Sequence, residues 1–309
     1  MLQMVRDIFN IFIFIAMVSL TSCEMFDAKG FVVPTSDAVN TRFEKSMSLH
    51  GNNAVATINT GESYVIYVCA DSHVTGTYNN LREFSTRLRN DELAVFGIML
   101  GDCANPRNTM PNYIEGIRFV EGVQAVDKPI FSLIGNHDLY FNGWNDFYKY
   151  LGASVYWFEV ECAEGRDLFI ALDSASGTLG KKQMKWLKEL LVAKRDKYRH
   201  CVVLTHTNLF YTDNSQQGSG NMALEETALL TQLFSRYRVT LCLQGHDHYR
   251  EDLVLNGVRY TTVGSICDEV ENPEYLVIRM TNSGFEYTWE YISRYNNRVP
   301  HPVSNALCG

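Results

Sequence analysis

The chain has 309 residues, of which 46% are apolar and 20% are charged, and its formal net charge is −8 at pH 7. This composition is typical of a globular protein with one or two domains and a large core. An acidic chain without a run of like charges or a basic stripe argues against binding of long nucleic acids. The negative net charge does not exclude small phosphorylated substrates, because a metal ion can supply positive charge locally.

The N-terminal segment is typical of an export signal. Residues 8–20 form the apolar run IFNIFIFIAMVSL, which has the length of a signal-peptide core and is too short to span a bilayer. The following LTSC resembles the lipobox of bacterial lipoproteins, which implies lipidation of Cys23. An ordinary secretory signal cleaved near this point is the alternative. Both interpretations predict export, and the first adds a membrane anchor facing the periplasm or the cell surface.

Residues 24–61 are polar and without clear periodicity, which predicts a tether followed by one domain over residues 62–309. From residue 62 onward, short apolar runs alternate with segments of helical periodicity. The predicted strands are SYVIYVCA, AVFGIMLG, PIFSLIG, YWFEVE, DLFIALDS, CVVLTH and VTLCLQGH. The predicted helices are NNLREFSTRLRNDEL, NYIEGIRFVEGVQAV, KKQMKWLKELLVAKR and MALEETALLTQLFSRYR.

The end of the chain is strand-like throughout, with EDLVLNGVRYTTVGS, EYLVIRM and GFEYTWEYI. An Asn256–Gly257 turn divides the first of these segments. Apolar strands alternating with helices predict an α/β fold, in which helices flank a buried sheet. Antiparallel pairing expected over 155–173 and 252–292 makes the sheets mixed.

Polar side chains follow the predicted strands at the points where the strands end. They lie in Asp71-Ser72-His73, Gly101-Asp102, Gly135-Asn136-His137-Asp138, Thr205-His206 and Gly245-His246-Asp247-His248. Ligand sites in open α/β sheets lie outside the carboxyl ends of strands, so these side chains are expected to converge. Imidazole and carboxylate without thiolate suit a divalent first-row metal. The candidate ligands are Asp71, His73, Asp102, Asn136, His206, His246 and His248.

These ligands are too many for one tetrahedral ion. With one bridging carboxylate they fit two ions about 3.5–4 Å apart, the arrangement used for phosphoester hydrolysis. The ordered set D-x-H, G-D, G-N-H-D, H and G-H-x-H resembles the calcineurin-like metallophosphoesterase superfamily, with the motifs spanning residues 71–248. The resemblance implies a four-layer αββα architecture, in which helices flank a β-sandwich of mixed sheets.

The resemblance also implies a role for each motif residue. One ion would be held by Asp71, His73, Asp102 and His248, and the other by Asp102, Asn136, His206 and His246, with Asp102 bridging. His137 would be the catalytic residue that stabilises the phosphate or protonates the leaving oxygen while a metal-bound hydroxide attacks phosphorus. Gly245 is expected to permit the tight backbone of the G-H-x-H turn. The ions could be manganese, iron or zinc.

One position departs from the pattern of many superfamily members. Asn105 stands where they have an aspartate that orients the histidine of G-N-H. An amide accepts a hydrogen bond from the ring but does not stabilise an imidazolium as a carboxylate does. The same run, Gly101–Asn105, lacks the tyrosine of the purple acid phosphatase branch, whereas CLQGHDHYRE is similar to that branch.

The expected function is hydrolysis of small phosphoesters, by either a phosphomonoesterase or a small-molecule phosphodiesterase. The alternative is a non-catalytic lipoprotein that binds a ligand or a partner, for which a degraded ligand set would be typical. In this sequence, every ligand position of the motifs holds a residue that can bind a metal. The sequence does not indicate the oligomeric state.

Several polar residues outside the ligand set are assigned structural or peripheral roles. Asp138 and Asp247 are predicted to be supporting carboxylates, and Asp173 is predicted to be structural. Candidates for the substrate cleft are Tyr140, Trp144, Tyr249 and Arg250. His50, His200 and His301 are expected on the surface or in the tether. No cysteine spacing indicates disulfides or a zinc site, so the cysteines at the edges of apolar runs are predicted to be buried hydrophobes.

Overall fold

A computed structural model describes residues 38–75, 77–105, 110–124, 127–210 and 222–292. The predicted export signal, Cys23 and His301 lie outside these residues. Within them, no helix combines the length and the apolar character that crossing a membrane requires.

The described chain alternates strands and helices much as the apolar pattern predicts. The strands are β1 (Thr57–Asn59), β2 (Tyr64–Cys69), β3 (Ala94–Met99), β4 (Ile130–Ser132), β5 (Tyr156–Cys162), β6 (Gly165–Ala171), β7 (His200–Leu204), β8 (Leu241–Gln244), β9 (Glu251–Leu255), β10 (Val258–Thr262), β11 (Glu274–Thr281) and β12 (Gly284–Tyr291). The helices are α1 (Val39–His50), α2 (Asn79–Asn90), α3 (Met110–Gln124), α4 (Trp144–Tyr150), α5 (Gly180–Lys194) and α6 (Leu224–Arg236). Short 3₁₀ segments cover His137–Asn142 and Arg195–Lys197.

The strands form two mixed sheets. The larger sheet has the order β1-β5-β6-β7-β8-β10-β9, and the smaller has the order β12-β11-β2-β3-β4. Both sheets combine parallel pairs, as between β2 and β3 and between β7 and β8, with antiparallel pairs, as between β9 and β10 and between β11 and β12. The sequence expectation of a mixed-sheet α/β fold is therefore confirmed.

Side-chain alternation along the strands divides the core into three apolar layers. In β2, Tyr64, Ile66 and Val68 pack between the two sheets. The intervening residues of β2 pack instead with helices α2 and α3 on the outer face of the smaller sheet. Helices α1, α5 and α6 cover the outer face of the larger sheet in the same way. Because both faces of the central strands are buried, these strands are continuously apolar in sequence.

The prediction that residues 24–61 form a tether is wrong for residues 38–61, the part of this segment that the structure describes. Helix α1 packs on the larger sheet, and β1 extends that sheet by pairing in parallel with β5. The Arg42 guanidinium is fully buried and donates to both carboxylate oxygens of Asp173, at 2.7 and 2.9 Å, and to the Ser176 hydroxyl. The helix was not predicted from the sequence, because Arg42 pairs with a residue 131 positions away and no local pattern reveals that contact. The structural role predicted for Asp173 is confirmed.

Two further expectations are corrected by burial. Trp144 is fully buried in the core under the smaller sheet and lines no cleft. His200 begins β7, is buried, and contacts the Thr281 carbonyl at 2.8 Å, so it is not a surface residue. The six described cysteines are buried and free, as the sequence predicts.

Candidate metal centre

The motif residues of the sequence lie at the carboxyl ends of strands from both sheets. Asp71 and His73 follow β2, Asp102 follows β3, Asn136 and His137 follow β4, His206 follows β7, and His246 and His248 follow β8. The two sheets stack face to face, so these five loops meet at one end of the sandwich. The structure therefore brings all eight predicted site residues to one place.

The backbone turns sharply at most of the predicted ligands. The angle φ is positive at Asp71 (52°), His73 (41°), Asp102 (50°), His246 (76°) and His248 (61°). The left-handed region costs a non-glycine residue about 1–3 kcal/mol and is most common at functional sites. The two histidines of G-H-D-H therefore leave strand geometry, so their side chains are not sent to opposite faces as they would be on a continuing strand.

The glycines of the motifs provide space beside the ligands, and Gly101 also has a positive φ of 96°. A Cβ atom on Gly135 would lie 2.0 Å from Asp102 Oδ1, and one on Gly101 would lie 2.5 Å from the His206 ring. Gly245 was expected to supply the unusual backbone angle of its turn. Its own φ is not positive, and the unusual angles belong to His246 and His248. A Cβ on Gly245 would instead press against Asp71 and the Leu100 carbonyl, at 3.1 and 3.2 Å.

The first group of ligand atoms comes from Asp71, His73, Asp102 and His248, which all lie within 4.8 Å of one another. His73 Nε2 lies 3.1 Å from His248 Nε2 and 3.6 Å from Asp102 Oδ2. His248 Nε2 lies 3.6 Å from Asp71 Oδ1. The two carboxylates and two imidazoles converge on one volume.

The second group shares Asp102 with the first and adds His206 and His246. His206 Nε2 lies 3.4 Å from Asp102 Oδ1, 3.2 Å from His246 Nδ1 and 3.0 Å from Asn136 Oδ1. His206 Nδ1 donates to the Leu100 carbonyl at 2.8 Å, which leaves Nε2 as the atom that faces the group. Asp102 turns Oδ2 to the first group and Oδ1 to the second, as a bridging ligand would.

The donor set fits metal ions. Asp71 Oδ1 is buried without a hydrogen-bond partner among the described residues, although such carboxylate oxygens are normally paired. Hydrogen bonds hold the ligand backbones: His246 N–H donates to Asp71 Oδ2 and His137 N–H to Asp102 Oδ1, both at 2.9 Å. The oxygen and nitrogen donors suit first-row ions. Metal binding by these residues stays a prediction.

Electrostatics keep several of the ligands in the protonation state that a metal requires. Burial alone would raise the pKa of Asp102, but interactions with the surrounding imidazoles, the largest of them with His206, outweigh burial and hold that pKa low. Burial and the neighbouring His137 lower the pKa of His73 to about 3. The carboxylate is thus ionised and the imidazole neutral near pH 7, as metal binding requires.

The histidine closest to solvent behaves differently. Burial would lower the pKa of His248, but the adjacent Asp71 carboxylate outweighs burial and raises it to about 9. His246, by contrast, is half-buried, and its partial desolvation and the neighbouring His206 lower its pKa to about 4. Metal binding must therefore release a proton from His248 near neutral pH.

His137 lies outside both ligand groups. Its Nε2 is 3.9 Å from Asp102 Oδ2, and its ring stands edge-on to the His73 ring with the centroids 4.6 Å apart. Its Nδ1 is buried and has no hydrogen-bond partner within the described residues. The carboxylate that would orient this ring in many superfamily members is replaced by Asn105, whose backbone N–H donates to the Val74 carbonyl. The ring packs against the rings of His73 and Tyr140.

Two carboxylates support the ligand loops without ligating, as the sequence predicts. Asp138 accepts from the backbone N–H groups of Cys103, Ala104 and Gly135, at 2.9–3.3 Å, and so joins the loops after β3 and β4. Asp247 accepts from Asn208 Nδ2 at 2.6 Å, which joins the loops after β7 and β8. Sequence reasoning missed Asn208, because a lone asparagine two residues beyond a histidine carries no distinctive pattern.

One side of the site is open. His246, Asp247, His248 and Tyr249 are partly exposed and Arg250 is exposed, whereas Asp71, Asp102 and His206 are at most 1% exposed. Arg250 packs over Trp289, 5.7 Å from its ring centroid, and lies 3.7 Å from the Glu274 carboxylate. The G-H-D-H turn is therefore the part of the site that solvent reaches, whereas the carboxylates behind it are buried.

Sequence comparison identifies the family. The calcineurin-like phosphoesterase profile matches residues 64–250, which is more than half of the chain. The chain belongs to the calcineurin-like phosphoesterase family. All the predicted ligands and His137 lie inside the matched range, whereas α1 and β1 lie outside it. No curated protein sequence matches the chain significantly.

Solved structures support the same fold. A dimetal phosphatase from Danio rerio is 12% identical with a TM-score of 0.55, and the match covers 72% of this chain and 98% of that one. GAP50, the anchor in the inner membrane complex of Plasmodium, is 14% identical with a TM-score of 0.52, covering 77% and 87%. Purple acid phosphatase PPD1 from yellow lupin is 15% identical with a TM-score of 0.54, covering 75% of this chain and 52% of that one. At these identities the likeness shows the fold alone.

Proposed function

We propose that the protein hydrolyses phosphoester bonds at a centre of two metal ions. The observation that carries the proposal is the complete ligand set, arranged as two groups that share Asp102. His137 belongs to neither group and lies next to the shared Asp102. Converging imidazoles and a buried carboxylate oxygen without a partner are costly in a folded protein unless cations bind there. The family match supports this chemistry.

Each residue of the site has a separate role in the proposed reaction. When bound, two ions would supply Lewis acidity, activating water and neutralising the phosphoryl oxygens. Asp102 would hold both ions at a fixed separation, and Leu100 would keep His206 in the tautomer whose Nε2 ligates. His137 is placed to donate a hydrogen bond to a phosphoryl oxygen or to the leaving oxygen. The backbone hydrogen bonds of Asp138 would keep the loops that carry Asp102 and Asn136 from shifting.

The proposed substrates are small phosphoesters, either monoesters or diesters. The net charge of −8 disfavours a polyanionic polymer, whereas a single phosphate meets its positive charge in the ions themselves. The ions would be manganese, iron or zinc.

Paired rate measurements test this function. The full-length protein, loaded with manganese, is expected to hydrolyse p-nitrophenyl phosphate or bis-p-nitrophenyl phosphate, and the faster of the two assigns the ester class. Asp102→Asn should abolish both activities, because an amide cannot bridge two cations. Equal rates for the wild type and Asp102→Asn would show that any hydrolysis comes from elsewhere, and the proposal would fail.

We also propose export and lipidation at Cys23, supported by the apolar segment 8–20 and the LTSC sequence. Radiolabelled palmitate is expected to label the wild type in a bacterial host, and Cys23→Ser should remove the label. A protein that is exported without label would instead have an ordinary secretory signal.

A non-catalytic binding protein is the alternative function. It is supported by the likeness to GAP50 of Plasmodium, which is described as an anchor. Binding of two ions without hydrolysis of either ester would favour this alternative.

A further inference from the structure

Tyr140 touches two functional side chains at once. It lies in the 3₁₀ segment that follows β4. Its hydroxyl accepts a hydrogen bond from Asn136 Nδ2 at 3.2 Å. Its ring lies against the His137 ring, with the centroids 4.5 Å apart and the planes tilted by 49°. Tyr140 thus contacts both the amide of the ligand set and the imidazole placed beside the phosphate.

Asn136 needs such a contact more than the other ligands do. It is the only neutral ligand other than the imidazoles, and only one of its two terminal groups, the oxygen, can bind a cation. That oxygen lies 3.0 Å from His206 Nε2, in the second ligand group. With the oxygen directed there, the NH₂ group requires an acceptor on the opposite side. The Tyr140 hydroxyl is that acceptor.

We propose that Tyr140 is a positioning residue for the second ion. Its hydroxyl holds the amide of Asn136 with the oxygen toward the His206 and His246 group, and its ring supports His137 from one side. This inference rests on the proposed function, since it presupposes that ions bind. It extends that function, because neither the ligand motifs nor the family match assigns a role to Tyr140.

Tyr140→Phe isolates the hydroxyl, because the ring and its packing on His137 are retained. Loss of a residue that orients a metal ligand lowers metal affinity about 10- to 100-fold. Calorimetric titration of the full-length protein with manganese is therefore expected to show one of two ions weakened by that factor, with the other unchanged. Tyr148→Phe is the matched control: it removes a hydroxyl from the neighbouring helix α4, where that hydroxyl donates to the Lys45 carbonyl.

A double-mutant cycle with Asn136→Ala identifies the route of the effect. If the hydroxyl acts through the amide, Tyr140→Phe should lower affinity in the wild type and leave the Asn136→Ala variant unchanged. An equal loss in both backgrounds would overturn the inference, as would unchanged binding in Tyr140→Phe. In both of those cases the wild type still binds two ions, so the result counts against the role of Tyr140 and not against the proposed function. A wild type that binds no ion would overturn the inference and the proposed function together.

Kinetics provide a second readout for the ring. At manganese concentrations that saturate both sites, Tyr140→Phe should recover the wild-type kcat, because the weakened ion is restored by mass action. Tyr140→Leu removes the support of His137 as well, and its kcat should stay low at any manganese concentration. Equal recovery of both variants would contradict the role of the ring.

Discussion

Gly135→Ala tests whether the space beside Asp102 is required. A Cβ atom on Gly135 would lie 2.0 Å from Asp102 Oδ1 and 2.2 Å from the Asp102 backbone nitrogen. Contacts below about 3 Å are strongly repulsive, so the loop or the carboxylate must move by about 1 Å. Both are tied in place, since Gly135 N–H donates to Asp138 and Asp102 accepts from His137 N–H. Either movement disturbs the site, because one displaces the bridging ligand and the other displaces the loop that carries Asn136 and His137.

The expected cost follows from that displacement. Overpacking destabilises a core by about 1–3 kcal/mol, and a misplacement of about 1 Å in a catalytic site can lower the rate about 100-fold. Thermal unfolding measures the loss of stability, ester hydrolysis measures the loss of rate, and manganese content shows whether the displaced ligands still bind metal. Gly122→Ala is the matched control, because its Cβ meets nothing within 4 Å at an exposed position of helix α3, where alanine adds about 0.5–1 kcal/mol of stability. Gly135→Ala with normal metal content and rate would refute the reasoning.

Three further predictions concern single side chains. His137→Ala should keep both ions and lower kcat by about 10²–10⁴-fold; loss of an ion, seen by metal analysis, would place His137 among the ligands. Arg42→Ala leaves the Asp173 carboxylate buried without its cation and should cost about 3–5 kcal/mol in urea unfolding, whereas a cost under about 1 kcal/mol would mean that α1 is only loosely attached. His248 has a pKa of about 9 in the folded protein against 6.5 as its ordinary value, so the folded state holds its proton to higher pH. The stability that His248 adds to the metal-free protein should thus be complete below pH 6.5 and be lost as pH rises through about 9. The apparent affinity for manganese should rise over the same pH range, because the metal binds the deprotonated ring. His248→Gln should remove both pH dependences, as measured by unfolding and by manganese titration at each pH.

The central strands and the ligand motifs could be predicted because their signals are local. β2 and β3 are buried on both faces, so their sequences are continuously apolar, and the polar residues that follow them mark the strand ends. The carboxyl ends of such strands meet at one edge, which is sufficient to predict that Asp71 and Asp102 approach each other.

The parts that were missed depend on contacts between distant residues. Helix α1 is anchored by Arg42, whose partner Asp173 belongs to the loop after β6. Trp144 follows a site motif in sequence but is turned into the core, where an aromatic side chain buries most apolar area. The left-handed backbone of His246 and His248 leaves no mark in composition, and the sequence pointed to Gly245 instead.

The central claim is tested most directly by measuring the rate of ester hydrolysis against the number of manganese ions bound per full-length chain. The account predicts little activity with one ion and full activity once the second is bound, because Asp102 completes both ligand groups. Full activity without bound metal, or two bound ions with no hydrolysis of either ester, would contradict it.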